Sequence, residues 1–238
     1  MKKAIVVGAT SGMGYELAKI LAANNYIVGI TGRRLSLLNE LANEKPGSFV
    51  VKSFDIADVD HIAQNVEELV ADLGGLDLLV IGAGVVKINK ELDFVPEKET
   101  IDVNVLGFTF LADWAFTYFE NQKFGHLVGI SSLGGIKGWR DTPAYNASKA
   151  YQINYLEGLR NKAFHSKLPI IITEIRPGYV DTAMAVGSYQ FWIQSTTKAA
   201  RQIFKAIERK KKVAYVTKRW RIIGFIMKMI PIWVQERA

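Results

Sequence analysis

A tyrosine and a lysine stand four residues apart in the stretch AYNASKAY, at Tyr145 and Lys149. Four residues make about one turn of an α-helix, so the two side chains would project from the same face. Such a pair can place a phenol, which gives or takes a proton, beside a positive charge that favours its ionised form. The same spacing is typical of an ordinary helix surface, and taken alone it favours that simpler interpretation.

The composition indicates one globular domain without cysteine or metal chemistry. The chain has 238 residues, of which 49% are hydrophobic, enough for one sizeable core. Because the sequence contains no cysteine, disulfide bonds and thiolate metal sites are excluded. His61, His126 and His165 are scattered without the spacing of metal ligands, which favours structural roles for them. We therefore expect neither a metal site nor a Ser-His-Asp mechanism.

Positive charge is concentrated near the C-terminus. Residues 198–238 contain 12 Lys and Arg and 2 Asp and Glu, whereas residues 1–197 contain 18 and 21. A basic segment on a mildly acidic body predicts an anionic partner, such as a membrane surface, or only a solvated end. Nucleic acid is disfavoured, because no recognition fold accompanies the basic run. The first apolar run, AIVV, is too short for a signal peptide, which predicts a cytoplasmic protein.

Short apolar runs alternate with helical patterns along the chain. The predicted strands cover residues 4–7, 26–31, 48–54, 76–84, 126–132, 170–178 and 213–216. The predicted helices cover about 13–24, 35–43, 58–73, 97–121 and 143–164. Thr142 and Pro143 predict the start of the last of these helices, as N-cap and first helical residue. Near-continuous β-branched runs are typical of strands buried on both faces, so the pattern predicts an α/β fold, a doubly wound parallel sheet of the Rossmann type in a single domain.

Within this domain we distinguish a catalytic part and a basic extension. Residues 1–197 are the predicted catalytic part, including a short substrate lid at 183–197, and residues 198–238 add the last helix, the last strand and an amphipathic tail. The apolar part of the tail, about 222–234, is too short to span a bilayer. Arg221, Gly224 and Lys228 are predicted to share one face of a tail helix. That helix would lie in a membrane interface, cover the substrate pocket or pack in an oligomer interface.

A glycine-rich turn follows the first predicted strand and opens the first predicted helix. Gly8, Gly12 and Gly14 allow the backbone to approach a pyrophosphate, and the free N–H groups and the helix dipole favour its charge. The same predicted cofactor turn includes Thr10, Ser11 and Met13. The spacing is G-x-x-x-G-x-G, and the position at a strand–helix junction indicates a dinucleotide site more strongly than the glycines alone.

The second predicted strand ends in TGRR, where an NAD site usually has a carboxylate for the ribose 2′-hydroxyl. Arg33 and Arg34 stand there instead and would pair with a 2′-phosphate, which predicts NADP(H) in preference to NAD(H). Two solvated arginines at a helix start are the alternative, although cations are unfavourable at that end of the helix dipole. Asp55, followed by Ile56, is predicted either to contact the adenine or to cap the next helix.

Seven motifs in order give the chain a resemblance to the short-chain dehydrogenase/reductase family, over about residues 3–182. They are GATSGMG at 8–14, DI at 55–56, GAG at 82–84, VNVLG at 103–107, ISSLGG at 130–135, YNASK at 145–149 and RPGYVDT at 176–182. The resemblance implies an NAD(P)-dependent oxidoreductase with a catalytic tetrad, Asn104, Ser132, Tyr145 and Lys149. The family's serine precedes its tyrosine by thirteen residues, which selects Ser132 rather than Ser131.

The resemblance also implies a role for each member of the tetrad. Tyr145 would exchange a proton with the substrate, and the Lys149 ammonium together with a positive nicotinamide would bring its pKa toward neutrality. Ser132 would bind the substrate oxygen, Lys149 would also hold the nicotinamide ribose, and Asn104 would order a helix and a water that connects Lys149 to solvent. The implied cofactor contacts are Gly82, Ala83, Gly84, Asn104, Tyr145, Lys149, Pro177, Gly178, Val180 and Thr182. A departure is IGAG at 81–84, where NNAG is common in the family; it affects a sheet hydrogen bond and an adenosine contact.

The predicted substrate lid is rich in aromatic residues. Trp139, Met184, Tyr189 and Trp192 predict an apolar pocket for a lipophilic carbonyl or alcohol, and packing on the body or on a neighbouring subunit is the alternative. The family expectation is a homodimer or homotetramer. The predicted function is NADP(H)-dependent interconversion of a ketone or aldehyde and an alcohol. A non-enzymatic nucleotide-binding or membrane-associated regulatory protein on the same fold, and an epimerase or dehydratase using the same Tyr and Lys, are the alternatives.

Overall fold

A parallel sheet of seven strands runs through the part of the chain that the computed structural model describes, residues 1–182 and 192–235. The strands are β1 (Lys2–Val7), β2 (Tyr26–Gly32), β3 (Phe49–Ser53), β4 (Leu78–Ile81), β5 (Gly125–Ile130), β6 (Ile170–Pro177) and β7 (Val213–Val216). They lie in the order β3-β2-β1-β4-β5-β6-β7, and each neighbouring pair is parallel. The predicted fold class is confirmed.

Helices cover both faces of this sheet. They are α1 (Gly12–Ala23), α2 (Leu35–Glu44), α3 (Val59–Leu73), α4 (Phe94–Ile101), α5 (Phe108–Gln122), α6 (Pro143–Ser166), α7 (Thr196–Glu208), α8 (Trp220–Met229) and α9 (Ile232–Gln235). One hydrophobic core lies under α1, α2 and α7 and includes Leu17 and Ile203. The other lies under α3, α5 and α6 and includes Leu69 and Leu156. Because α7 and β7 belong to this same arrangement, the basic extension is continuous with the sheet.

The first strand shows why its sequence is apolar without interruption. Ala4 and Val6 face one core, Ile5 and Val7 face the other, and all four side chains are fully buried. A strand covered on both faces has no solvent side for polar residues. A continuous apolar run is therefore the expected pattern.

The chain leaves β1 and β4 in opposite directions. From β1 it passes through α1 to β2, and from β4 it passes through α4 and α5 to β5 on the other side. Such a divergence opens a crevice at the carboxyl ends of the two strands, and ligands of open α/β sheets bind there. Gly8 follows β1, Gly82 follows β4, and both line the crevice.

The helix predicted at 97–121 contains a wider turn. Helix α4 begins at Phe94, and a π-helical turn, Asp102–Gly107, joins it to α5. Turns of this kind occur frequently at functional sites. Gly107 permits close packing of the turn, since a Cβ there would stand 2.1 Å from the carbonyl oxygen of Ile56. The hydrophobic period predicts the helix but carries no signal for the π turn.

Helix α8 packs on the body of the protein through Trp220 and Gly224. A Cβ on Gly224 would stand 3.1–3.2 Å from three side chains of the body. Arg221, Gly224 and Lys228 share one side of α8 by their spacing of three and four residues, as predicted, and on that side the glycine is buried while the two basic residues are exposed. A small residue on a helical wheel does not reveal which side is packed. Within the described residues, no helix is both long enough and apolar enough to cross a membrane.

His126 has a structural role, as the sequence predicts. It lies on β5, is buried, and its Nε2 is 2.8 Å from the Thr173 hydroxyl on β6. Burial lowers its pKa to about 4. The imidazole is therefore neutral at physiological pH and joins two neighbouring strands.

Candidate active site

The glycine-rich turn after β1 has the close backbone packing that a phosphate site requires. Gly8 and Gly12 have φ angles of 92° and 64°, a region that favours glycine. A Cβ on Gly8 would stand 2.6 Å from the Ala83 nitrogen, and one on Gly14 would stand 2.1 Å from the Gly8 carbonyl oxygen. Helix α1 begins at Gly12, on the wall of the crevice. Its first N–H groups and its dipole therefore favour an anion at this turn.

A matched pair of glycines tests this packing. Gly8 and Gly47 both have positive φ angles, 92° and 79°, but a Cβ on Gly47 would meet nothing within 4 Å. We expect Gly8→Ala to lower the free energy of unfolding by about 1–3 kcal/mol more than Gly47→Ala, because only the first adds a steric clash. Urea unfolding of both variants measures the difference. Equal losses would contradict the close approach of Gly8 to Ala83.

A cleft extends from this turn along the ends of β2 and β4. Among the residues predicted to bind the cofactor, its walls contain Gly8, Thr10, Ser11, Gly12, Met13, Gly14, Arg33, Arg34, Asp55, Ile56, Gly82, Ala83, Gly84 and Thr182. Its walls also contain seven residues that were not predicted as cofactor contacts: Val7, Thr31, Gly32, Phe54, Val85, Val103 and Ile130. Most of these additional residues are apolar or end a strand, and such residue types carry no cofactor signal in a sequence.

The two arginines after β2 have different surroundings. Arg34 donates from Nη2 to the hydroxyls of Thr10 at 2.7 Å and Ser11 at 3.0 Å, so its guanidinium lies against the glycine turn. The side chain of Arg33 is 63% exposed, and its Nη1 is 3.7 Å from the Asp55 carboxylate. Arg33 thus stands at the rim of the cleft as an accessible cation, whereas Arg34 supports the turn.

Asp55 shapes a turn and does not cap a helix. Its Oδ1 accepts a hydrogen bond from the N–H of Ala57 at 3.0 Å. Helix α3 begins at Val59, and Asp58 occupies the position before it. The capping alternative is therefore wrong for Asp55. Its carboxylate and the neighbouring Ile56 both lie in the cleft wall, and contact with an adenine stays a prediction.

Helix α6 begins at the predicted proline, but a distant residue supports its first turn. The hydroxyl of Thr142 donates to Asn146 Oδ1 at 2.9 Å. The free N–H of Ala144 donates instead to Glu97 Oε2 at 3.0 Å. Since Glu97 lies on α4, this contact is absent from the local sequence signal for a helix start. Helix α4 thereby holds the beginning of the helix that carries the tyrosine and the lysine.

Tyr145 and Lys149 stand one turn apart on α6. The Lys149 Nζ lies 5.9 Å from the centre of the Tyr145 ring. Burial lowers the pKa of Lys149 to about 7. Burial also raises the pKa of Tyr145, and a hydrogen bond with Ser132 offsets that shift only in part. The protein's own groups thus raise the pKa of Tyr145 and do not bring it toward neutrality, so the phenol is protonated at neutral pH, the form that gives a proton.

Ser132 stands beside this pair, whereas Ser131 faces the interior. The Ser132 Oγ accepts a hydrogen bond from the N–H of Gly134 at 3.0 Å, which shapes the loop after β5. The buried Ser131 hydroxyl donates to Glu174 Oε1 at 2.8 Å. The position of Ser132 next to Tyr145 agrees with the choice made from the spacing. Its catalytic role stays a prediction.

Asn104 joins the π turn to the loop after β4 and to α6. Its Oδ1 accepts from the Val85 N–H at 2.9 Å, and its Nδ2 donates to the Val85 carbonyl at 2.8 Å. The same Nδ2 donates to the Ser148 hydroxyl at 3.0 Å, and Ser148 in turn donates to the Tyr145 carbonyl. Asn104 is fully buried. It therefore fixes the neighbourhood of the tyrosine and does not reach it directly.

The segment after β6 meets the start of α8. The Gly178 N–H donates to the Val216 carbonyl at 2.7 Å. A Cβ on Gly178 would stand 2.2 Å from the Trp220 ring, so an indole occupies the space beside this glycine. Thr182 lies in the cleft wall, 3.3 Å from the position of a Cβ on Gly12. Pro177 and Val180, the other predicted contacts in this segment, are buried.

Two of the four predicted substrate residues are described by the structure. Trp139 is 47% exposed and Trp192 is 46% exposed. Trp192 packs edge-on against Trp220, with 6.0 Å between ring centres, and the Arg219 guanidinium lies 4.8 Å above its ring. Trp192 therefore packs on α8, in line with the alternative prediction for the aromatic residues. Met184 and Tyr189 lie outside the described residues.

Known proteins resemble this chain over most of its length. A family model described as short chain dehydrogenase matches residues 2–191. An uncharacterized oxidoreductase of Myxococcus xanthus is 35% identical over 188 residues, which cover 77% of this chain and 74% of that protein. An uncharacterized oxidoreductase of Mycobacterium tuberculosis is 30% identical over 217 residues, which cover 87% of this chain and 85% of that protein.

Solved structures share the fold. A short chain dehydrogenase from Bacillus anthracis matches with a TM-score of 0.80 at 19% identity, covering 90% of this chain and 94% of that one. A variant of the actinorhodin polyketide ketoreductase with NADPH matches with a TM-score of 0.80 at 21% identity, covering 90% and 95%. The match of the family model and the two sequence relatives establish that the chain belongs to the short chain dehydrogenase family of NAD(P)-dependent oxidoreductases.

Proposed function

We propose that the protein interconverts a ketone or an aldehyde and an alcohol with NADP(H) as its cofactor. The observation that carries the proposal is the placement of Tyr145 beside Ser132, with the buried Lys149 one turn away. Reduction of a carbonyl leaves an alkoxide, and the alkoxide needs a proton donor. The phenol holds a proton at neutral pH, and the Lys149 ammonium favours the phenolate that forms when this proton is given up.

The residues of the chain act together at the substrate oxygen. A nicotinamide cofactor, when bound, supplies the hydride in reduction and accepts it in oxidation. Tyr145 gives its proton to the oxygen in reduction and takes it back in oxidation. Ser132 donates a hydrogen bond to the same oxygen as negative charge develops there. The Lys149 ammonium stabilises the phenolate that remains on Tyr145, because opposite charges favour each other in a buried site.

The cleft suits a dinucleotide with a 2′-phosphate. The turn at Gly8 and Gly14 is packed so closely that a Cβ on either glycine would clash with backbone atoms, and the start of α1 favours the charge of a pyrophosphate. Arg33 at the rim would pair with a 2′-phosphate, where a carboxylate would repel it. The ketoreductase neighbour was solved with NADPH, which supports the same preference. NADP(H) is therefore proposed over NAD(H).

A substrate screen tests the reaction. Purified protein is mixed with NADPH and pairs of ketones or aldehydes that share a reactive group but differ in lipophilicity. We expect faster NADPH oxidation with the lipophilic members, since Trp139 and Trp192 expose aromatic surface. One alcohol formed for each NADPH consumed excludes the epimerase and dehydratase alternatives. NADPH binding without turnover of any member would favour the non-enzymatic nucleotide-binding alternative.

The exposed side of α8 and α9 supports a second proposal, contact with an anionic membrane surface. Ile222, Phe225, Ile226 and Met229 follow the spacing of one helix face, and each is 49–68% exposed. Trp233 on α9 is 61% exposed. Residues 209–235 contain eight Lys and Arg and no Asp or Glu. An apolar helix face in a positively charged segment fits anionic lipid headgroups and the acyl boundary below them.

Vesicle sedimentation tests this surface with a matched pair of variants. We expect wild type to sediment with vesicles containing phosphatidylserine, to do so less as salt rises, and to remain in solution with phosphatidylcholine alone. Phe225→Glu should abolish binding. Phe164→Glu should not, because Phe164 is 79% exposed at the far end of α6. The proposal is wrong if the wild-type protein binds neither the phosphatidylserine vesicles nor the phosphatidylcholine vesicles and forms an oligomer that Phe225→Glu dissociates. Homodimer or homotetramer assembly and a cytoplasmic location stay predictions.

A further inference from the structure

Gln152 connects Lys149 to the π turn through two buried hydrogen bonds. It lies one turn after Lys149 on α6 and is fully buried. Its Oε1 accepts from the Lys149 Nζ at 2.9 Å, and its Nε2 donates to the backbone carbonyl of Asn104 at 2.8 Å. Lys149 also donates to the carbonyl of Ile130 at 3.0 Å. The amide thus links the backbone of Asn104 directly to the Lys149 ammonium.

The chemistry of the two partners determines how this amide is turned. An ammonium only donates hydrogen bonds and a carbonyl only accepts them. The amide oxygen must therefore face Lys149 and the amide nitrogen must face Asn104, because the reverse orientation would oppose donor to donor and acceptor to acceptor. A buried amide with both ends satisfied holds its neighbours in one arrangement. Gln152 accordingly presents a fixed acceptor to the lysine.

The groups around the ammonium are mostly neutral. The groups near it that do not ionise are the Ile130 carbonyl at the end of β5, Gly84 in the loop after β4, and the side-chain amide and backbone carbonyl of Asn104 in the π turn. Tyr145 is the titratable group on α6 that faces Lys149. Tyr179, in the segment after β6, raises the pKa of Tyr145 electrostatically. Burial brings the pKa of Lys149 to about 7. Ammonium and amine are then close in free energy at neutral pH, and a single acceptor decides between them.

We propose that Gln152 is a positioning residue whose amide oxygen keeps Lys149 charged beside Tyr145. Gln152 thereby sets the upper pH limit of carbonyl reduction. This role rests on the proposed function, because Gln152 acts only through the lysine and the tyrosine. A hydrogen bond to a charged group changes the ratio of two protonation states about tenfold. Without the acceptor, the ammonium is therefore lost at a pH about one unit lower.

An NMR titration tests the proposal without any substrate. Protein carrying carbon-13 at the lysine Cε is titrated, and the Lys149 signal is assigned by its loss in Lys149→Met. We expect the midpoint to fall by about one pH unit in Gln152→Leu and to rise in Gln152→Glu, since a carboxylate favours the ammonium. Gln122→Leu is the control, because it removes an amide that donates to two backbone carbonyls at the end of α5 and has no part in the Lys149 contacts. An unchanged midpoint in both Gln152 variants would overturn the proposal.

The pH profile of turnover supplies the second measurement. The alkaline limb of kcat/KM for carbonyl reduction should move in the same direction as the Lys149 midpoint in each variant, with NADPH affinity retained. A loss of kcat without movement of the limb would overturn the proposal in favour of a packing role. If Gln152→Leu does not fold, the upward shift in Gln152→Glu decides the question alone. Shifted midpoints without turnover of any carbonyl would support the role of Gln152 and reject the proposed reaction.

Discussion

Changing Tyr145 to Phe is expected to lower kcat for carbonyl reduction by about 100- to 10,000-fold, the contribution typical of a general acid. The variant retains the ring and its position one turn from Lys149 but has no proton to give. NADPH affinity should change little, because the glycine turn and the arginine pair are untouched. Stopped-flow or steady-state NADPH oxidation measures the rate, and quenching of tryptophan fluorescence measures the affinity.

Tyr151→Phe is the matched control for this change. Tyr151 lies on the same helix, and its hydroxyl is 2.8 Å from that of Thr109, so the substitution also removes a hydrogen bond. Because the Tyr151 hydroxyl is paired with Thr109 on α5 and its ring stacks on Tyr155, we expect nearly wild-type turnover. A Tyr145→Phe protein that reduces carbonyls as fast as this control would show that another group supplies the proton.

Changing Arg33 to Asp should weaken NADPH binding by about 10- to 150-fold, since a hydrogen bond to a charged group contributes about 1.5–3 kcal/mol. The new carboxylate would also stand near Asp55 and repel a phosphate. NADH has no 2′-phosphate, so its affinity should change by less than about threefold. Isothermal calorimetry with both cofactors gives the ratio.

Arg201→Asp makes the same change of charge on an exposed position of α7, away from the cleft walls. It should leave the ratio of the two affinities unaltered. If Arg33→Asp weakens NADPH and NADH equally, the arginine does not read the 2′-phosphate. The cofactor preference would then need another origin, with Arg34 the next candidate because it already binds the turn.

The sequence predicts most of the architecture because local patterns report burial. Strands such as β1 and β5 are covered on both faces, so their apolar runs identify them directly. Helix α6 begins at Pro143, where a proline signals a first turn. The glycine turn is equally predictable from the sequence, since positive φ angles and close backbone contacts require glycine.

The features that the sequence does not predict depend on contacts between distant segments. Glu97 supports the start of α6 from α4, and Gln152 binds the π turn from α6. Neither residue type indicates such a role in its own neighbourhood. The raised pKa of Tyr145 is of the same kind, because burial is a property of the whole fold. The closeness of Asn104, Ser132, Tyr145 and Lys149 could be anticipated from motif and spacing, whereas their electrostatics could not.

The contact between Gly178 and Trp220 limits how this chain can be recombined with its relatives. The family model ends at residue 191, so the glycine belongs to the shared region and the tryptophan to the segment beyond it. The indole fills the space beside the glycine, and the two therefore behave as one packing unit. A chimera that grafts a relative's C-terminal segment onto this body would need a side chain of matching shape at that point. Without one, the loop that carries Thr182 to the cofactor cleft would lose the side chain that packs against Gly178.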